Sequence, residues 1–102
     1  MKKDGWVYIM ANTRPSLYTG VTNNLIRRIY EHRHDLSPCF TSQYKIHKLV
    51  WFETHETITT AIIREKHIKD MSRKDKLNMI RVTNPALKDL YYEILESLRS
   101  PE

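Results

Sequence analysis

Ile58, Ala61, Ile62 and Ile68 recur at the three- and four-residue steps that place side chains on one face of a helix. Glu65 falls among them, at i+7, i+4 and i+3 from the first three. A carboxylate on an apolar face is costly unless it is paired or holds a cation. The pattern alone leaves two readings open. One is an ion pair with a buried arginine. The other is a ligand for a hard cation such as Mg²⁺, which is commonly held by one or two carboxylates plus water and substrate phosphate. Arg28 and His32 stand one helical turn apart and share a face with Leu25 and Ile29, whereas Arg27 and Arg33 point elsewhere. An arginine on such a face calls for an anionic partner, and its planar fork fits a phosphate. Histidine is suited to accept a proton near neutral pH. An ordinary helix-edge pair is the alternative. Tyr8 and Tyr18 lie in two runs of strand composition, where a buried ring with its hydroxyl at the rim is the usual outcome. Gly20 marks a bulge or the close approach of another backbone or a ligand.

The elements that must position these residues can be read from the same chain. Trp6 to Ala11 is a short aromatic and β-branched run, hence a buried strand. Asn12-Thr13-Arg14-Pro15-Ser16 has turn chemistry, and Leu17 to Val21 completes a hairpin. A third strand is expected from His47 to Glu53. Asn23 or Asn24 can cap a helix reaching about His34, and Thr57 opens a second helix to about Met71. Ser72 with Asp75 resembles a capping box for a third helix, to about Val82. Asn84-Pro85 reads as N-cap and first turn of a last helix, with Leu87, Leu90, Ile94 and Leu98 as its apolar stripe. The order implies an α+β fold: a small three-stranded antiparallel β-sheet flanked by helices.

Composition narrows the partner. The 102 residues are expected to form one domain and carry a net charge of +5. That charge favours an anionic partner, nucleic acid before membrane. The excess is concentrated in 27–48, with Arg27, Arg28, Arg33, Lys45 and Lys48, and in 64–81, with Lys66, Lys69, Arg73 and Lys74 among others. Solvated helix faces would give the same pattern. The lone Cys39 forbids an intrachain disulfide. The first five residues lack a signal-peptide core, and no apolar run approaches the roughly 18 residues of a membrane span, so a cytoplasmic location is expected. A zinc site from His32, His34 and Cys39 is disfavoured, because residues i and i+2 on a helix do not face one another.

At these positions the sequence resembles the GIY-YIG endonuclease family. The first name-giving motif stands as Trp6-Val7-Tyr8 and the second as Tyr18-Thr19-Gly20, with the family's spacing between them. Trp6 and Val7 replace the first motif's glycine and isoleucine, and Thr19 the second motif's isoleucine; both tyrosines and Gly20 remain. The resemblance implies an essential arginine at Arg28, a tyrosine or histidine one turn later at His32, a sole protein metal ligand at Glu65, and a supporting asparagine at Asn84. It spans about residues 6–90. Small stand-alone bacterial members are the most similar, with their Phe-Thr-x-x-Tyr segment (Phe40, Thr41, Tyr44), a Leu-Val-aromatic-x-Glu strand and Asn-Pro.

What the resemblance implies is an endonuclease that hydrolyses nucleic-acid phosphodiesters, DNA expected over RNA, with one Mg²⁺ or Mn²⁺ ion on Glu65. Arg28 would neutralise charge developing on the phosphoryl oxygens. Tyr8 and Tyr18 would orient the attacking water, and the base would be His32 or a tyrosine. Arg27, Arg33, Lys45, Lys48, Lys66, Lys69, Arg73 and Lys74 would grip flanking phosphates, and DNA repair or recombination is the expected setting. The alternative is a non-catalytic nucleic-acid-binding module on the same fold.

Overall fold

The strand Gly5–Ala11, β1, is buried along nearly its whole length because helices cover both of its faces. It lies between Leu17–Thr22, β2, and Lys48–His55, β3, in an antiparallel sheet of order β2-β1-β3. The structure, a computed structural model, describes residues 4–34, 36 and 45–99. Cys39 and the Phe40, Thr41 and Tyr44 segment lie outside the described residues. Four helices complete the described fold: Leu25–Arg33, α1; Ile58–Lys69, α2; Arg73–Thr83, α3; and Tyr91–Arg99, α4. The α+β architecture expected from the sequence is the one formed.

Strand alternation divides the core in two. Val7, Ile9 and Ala11 face Ala61 and Ile68 of α2 and Ile80 of α3. Tyr8 and Met10 face Leu25 and Ile29 of α1, Leu49 of β3 and Tyr91 of α4. Burying each such large apolar side chain contributes about 1.5–3 kcal/mol. Helix α2 can sit this close to the sheet because Gly5 has no side chain. A β-carbon there would come within 2.6 Å of the Thr57 carbonyl oxygen and 2.8 Å of Ala61 Cβ.

Local signals set the helix starts. The side chains of Asn24, Thr57 and Ser72 accept from the backbone N–H groups of Arg27, Thr60 and Asp75, capping α1, α2 and α3. The last helix departs from expectation. Asn84 does not cap it; it closes α3, and α4 begins only at Tyr91. The reason lies in β3, where the register slips between Ile9 and Met10, which face Trp51 and Leu49. Val50 is the extra residue of this bulge, and its carbonyl accepts from Asn84 Nδ2 at 3.0 Å. Asn84 also bonds the carbonyl and the amide of Lys88, so it folds the 84–88 turn and ties it to β3. Asp89 completes the junction, accepting at Oδ1 from Leu49 N and Tyr91 N. Leu87 therefore precedes α4 and packs with the opposite core cluster from Leu90 and Ile94.

Candidate active site

Tyr8 leaves β1 toward α1, and its ring fills the volume above Gly20, its cross-strand partner in β2. The Tyr8 hydroxyl lies 2.9 Å from Nε2 of His32, and both residues are buried. The Tyr18 ring meets the His32 ring edge-on, with centroids 5.4 Å apart, and lies 6.3 Å from the Tyr8 ring. Three aromatic rings from two strands and a helix thus converge at one place. Antiparallel pairing puts Tyr8 and Tyr18 on the same face, and the 3.6-residue period turns His32 and Arg28 toward them.

The electrostatics of this cluster follow from burial and from Arg28. Burial first, and then the neighbouring Arg28 charge, push His32 down to about 4. His32 is therefore a neutral imidazole at physiological pH; in its Nδ1–H tautomer Nε2 accepts the Tyr8 O–H, which leaves the Tyr8 oxygen to accept from Arg28. Arg28 is held more firmly protonated than usual. Its hydrogen bond to Tyr8 contributes most, opposed by partial burial, with further support from Glu31. Glu31 Oε1 accepts from Arg28 Nη1 at 3.1 Å, one turn along the same helix. Arg28 is thus clamped between a carboxylate and a phenol, with 32% of its side chain exposed, against 63% for Arg27.

Glu65 sits on α2, which packs against β1 and β2. Its surroundings differ from the apolar face expected. Only Ala61 and Ile68 form the buried seam, while Ile58 and Ile62 are each 37% exposed. Contact through the small residues Gly5 and Ala61 rolls the helix so that Arg64 and Glu65 flank the seam, both half-buried. The Glu65 side chain is 12% exposed and accepts from Lys69 Nζ at 2.8 Å, one turn away. That bond raises the Lys69 pKa, opposed by partial burial, with smaller electrostatic contributions from the Glu65 charge and from Tyr18.

Among the described residues no group of three or more His, Cys, Asp or Glu could share a metal ion. The residues nonetheless fit a hard divalent ion of one kind. Such an ion would have Glu65 as its one protein ligand, with water and phosphate completing the shell. The carboxylate already stabilises one cation, and the Lys69 side chain, 54% exposed, has room to withdraw.

The expected phosphate-gripping cations divide into two groups. Arg27, Lys45, Lys66, Lys69, Arg73 and Lys74 are exposed. Among these, Arg73 Nη2 donates to the Pro15 carbonyl at 2.6 Å and braces the β1–β2 turn. Arg33 and Lys48 work within the fold. Arg33 pairs with Asp89, donates to Tyr92, and lies 4.6 Å from the Tyr91 ring centroid, which fastens α1 to α4. Lys48 Nζ donates to the Leu87 carbonyl at 3.0 Å. Asn84 serves the β3 bulge and does not belong to the tyrosine cluster. Sequence reasoning missed Glu31, although its i+3 spacing from Arg28 was available. It also missed His47, whose carbonyl accepts from Arg33 Nη1 at 3.2 Å and so meets α1 from a segment distant in sequence.

The chain matches the family model described as the GIY-YIG catalytic domain over residues 4–78. It is 39% identical over 88 residues to a UPF0213 protein of Clostridium perfringens, covering 86% of this chain and 92% of that one. A UPF0213 protein of Natronomonas pharaonis is 32% identical over 80 residues, covering 78% and 94%. The solution NMR structure of a UPF0213 protein from Bacillus halodurans is similar in fold, with a TM-score of 0.53, 25% identity, and coverage of 95% of this chain and 98% of that one. Tyr8, Tyr18, Gly20, Arg28, His32 and Glu65 all fall inside the matched span, and the chain belongs to the GIY-YIG nuclease family.

Proposed function

We propose that this chain is an endonuclease that hydrolyses DNA phosphodiester bonds with one divalent ion, Mg²⁺ or Mn²⁺, held on Glu65. The observation that carries the reading is the Tyr8 hydroxyl held between His32 Nε2 and the Arg28 guanidinium. A binding module needs no phenol fixed between a proton acceptor and a permanent cation.

Arg28 has its fork committed to Tyr8 and Glu31 and stands ready to meet charge that develops on the phosphoryl oxygens. Tyr8, with its own proton directed at His32 and one lone pair met by Arg28, keeps a second oxygen lone pair that would accept from the attacking water. His32 near 4 is a weak acceptor. The proton therefore moves from water to Tyr8, and from Tyr8 toward His32, only as the new phosphorus–oxygen bond forms. The bond to the leaving oxygen breaks as that bond forms, and solvent reprotonates the leaving group. Tyr18 packs on His32 and holds the imidazole in place. The divalent ion supplies Lewis-acid stabilisation of the leaving oxygen.

One observation favours a binding-only module as the second reading: Lys69 occupies a Glu65 oxygen. Incubation with supercoiled, branched and single-stranded DNA, with and without Mg²⁺, separates the two. Metal-dependent nicking of at least one substrate is expected. Binding without cleavage across the panel supports the second reading.

A further inference from the structure

At the end of the sheet where β1 stops and β3 starts, an open cleft of about 570 Å³ is lined by Asn12, Thr13, Arg14, Lys45, His47 and Lys48, with Ala11 at its base. Two arginine or lysine cations come from the segment entering β3 and a third from the β1–β2 turn. Among the described residues no carboxylate lines the cleft. Like charges gathered in a concave site repel one another, and an anion between them relieves that repulsion. The walls are built rather than incidental. Asn12 Oδ1 accepts from the amides of Arg14 and Ser16 and fixes the turn that carries Arg14. Arg73 braces the same turn through the Pro15 carbonyl. On the opposite wall Arg33 Nη1 donates to the His47 carbonyl, and Lys48 is anchored on the Leu87 carbonyl. Lys45 has a φ of 55°, a left-handed backbone uncommon for a side-chain-bearing residue.

The cleft adjoins the tyrosine cluster. Tyr18 pairs with Met10, next along β1 to the Ala11 that floors the cleft, so the two lie at the same end of the sheet, although the Ala11 side chain turns to the opposite face. The His47 carbonyl accepts from Arg33 Nη1 at 3.2 Å, so His47 is tied to α1 beside the residue that follows His32. The exposed Arg14 and Lys45 stand at the mouth.

We propose that this cleft is a phosphoryl-binding subsite, in which Arg14, Lys45 and His47 hold a substrate phosphate adjacent to the scissile one, while Lys48, held on the Leu87 carbonyl, forms part of the wall. The assignment rests on the reading of the chain as a nuclease, and it adds a defined second phosphate position to it. The shared chemistry is a phosphoryl group, supplied either by a backbone diester or by a terminal monoester.

The test uses the full chain without any divalent metal, so that catalysis plays no part in it. Amide shifts are followed by NMR during titration with inorganic phosphate, then with 5′-phosphorylated and 5′-hydroxyl tetranucleotides. Saturable shifts confined to residues 12–14 and 45–48 are expected. Arg14→Ala with Lys45→Ala, both at exposed positions, should weaken phosphate binding by about tenfold or more, since hydrogen bonds to charged groups are the strong ones. Tighter binding of the 5′-phosphorylated oligonucleotide identifies a terminal monoester; equal binding identifies the backbone diester. Shifts that do not saturate or that spread over the whole basic surface, or a double variant that binds phosphate like the wild type, overturn the assignment. Saturable binding in a protein that never cleaves would count against the nuclease reading alone.

Discussion

A β-carbon on residue 20 would lie 2.5 Å from Cζ of Tyr8 and 3.0 Å from its Cε1, so the Tyr8 ring occupies the volume that Gly20 leaves open. The two residues are directly paired across β1 and β2, and Tyr8 is 1% exposed, with no room to retreat. The glycine is therefore required by packing against the Tyr8 ring. Gly20→Ala should displace the Tyr8 hydroxyl from His32, reduce the nicking rate by about 10²-fold, and destabilise the fold by about 1–3 kcal/mol as overpacking does. Thermal unfolding and single-turnover rates on one substrate check both parts. Wild-type activity in this variant would show that Tyr8 need not hold its position.

Arg28 and Arg27 are adjacent in sequence but differ in setting, the first clamped on Tyr8 and Glu31, the second 63% exposed. Arg28→Ala should lower the single-turnover rate by about 10²–10³-fold while weakening DNA binding far less. Arg27→Ala should act mainly through binding. Lysine at 28 should rescue poorly, because an ammonium cannot serve Tyr8, Glu31 and phosphate in one plane. Equal rate losses for the two alanine variants would remove Arg28 from the site.

His32 gives a pH signature with a definite sign. Its folded value is depressed to about 4 from 6.5, so between these values the unfolded chain binds a proton that the native chain does not. Stability therefore rises with pH through that window and is lost as pH falls from 6.5 toward 4. This group alone should contribute about 3 kcal/mol across the window. Denaturant unfolding of wild type and His32→Gln at several pH values should show the excess slope in wild type only. The acid limb of activity set by His32 should fall near 4, and a limb at 6.5 that disappears in the variant would contradict the buried neutral imidazole.

Much of this was legible in the sequence. The β1–β2 hairpin and the capped starts of α1, α2 and α3 follow from strand alternation and helix-capping patterns, which are local rules, whereas a site shared by Tyr8, Tyr18, Arg28 and His32 was expected only from the family resemblance. The parts that were not legible depend on tertiary contacts. The roll of α2 comes from Gly5 meeting Ala61, which moves Ile58 and Ile62 toward solvent and leaves Glu65 beside Lys69. Asn84 before proline is a sound N-cap pattern, yet the bulge at Val50 claims its side chain from 34 residues away. Arg33 reads as a surface cation until Asp89, just before α4, and Tyr92 of α4 meet it.

Lys69 is a built-in rival for any metal on Glu65, at 2.8 Å from its carboxylate. Lys69→Met should lower the Mg²⁺ concentration for half-maximal nicking severalfold without changing which ions work. A higher Mg²⁺ requirement in the variant would mean that Lys69 assists the site, by gripping phosphate, more than it competes.

The nicking rate of supercoiled DNA across a Mg²⁺ titration, for wild type and Glu65→Gln side by side, bears most directly on the proposed chemistry. Wild type should show a saturable rise with Mg²⁺. Glu65→Gln should show no detectable nicking while its melting temperature stays close to wild type, because glutamine keeps the size of Glu65 and Lys69, at 54% exposure, can return to solvent. Undiminished nicking by a folded Glu65→Gln would contradict the assignment of Glu65 as the metal ligand.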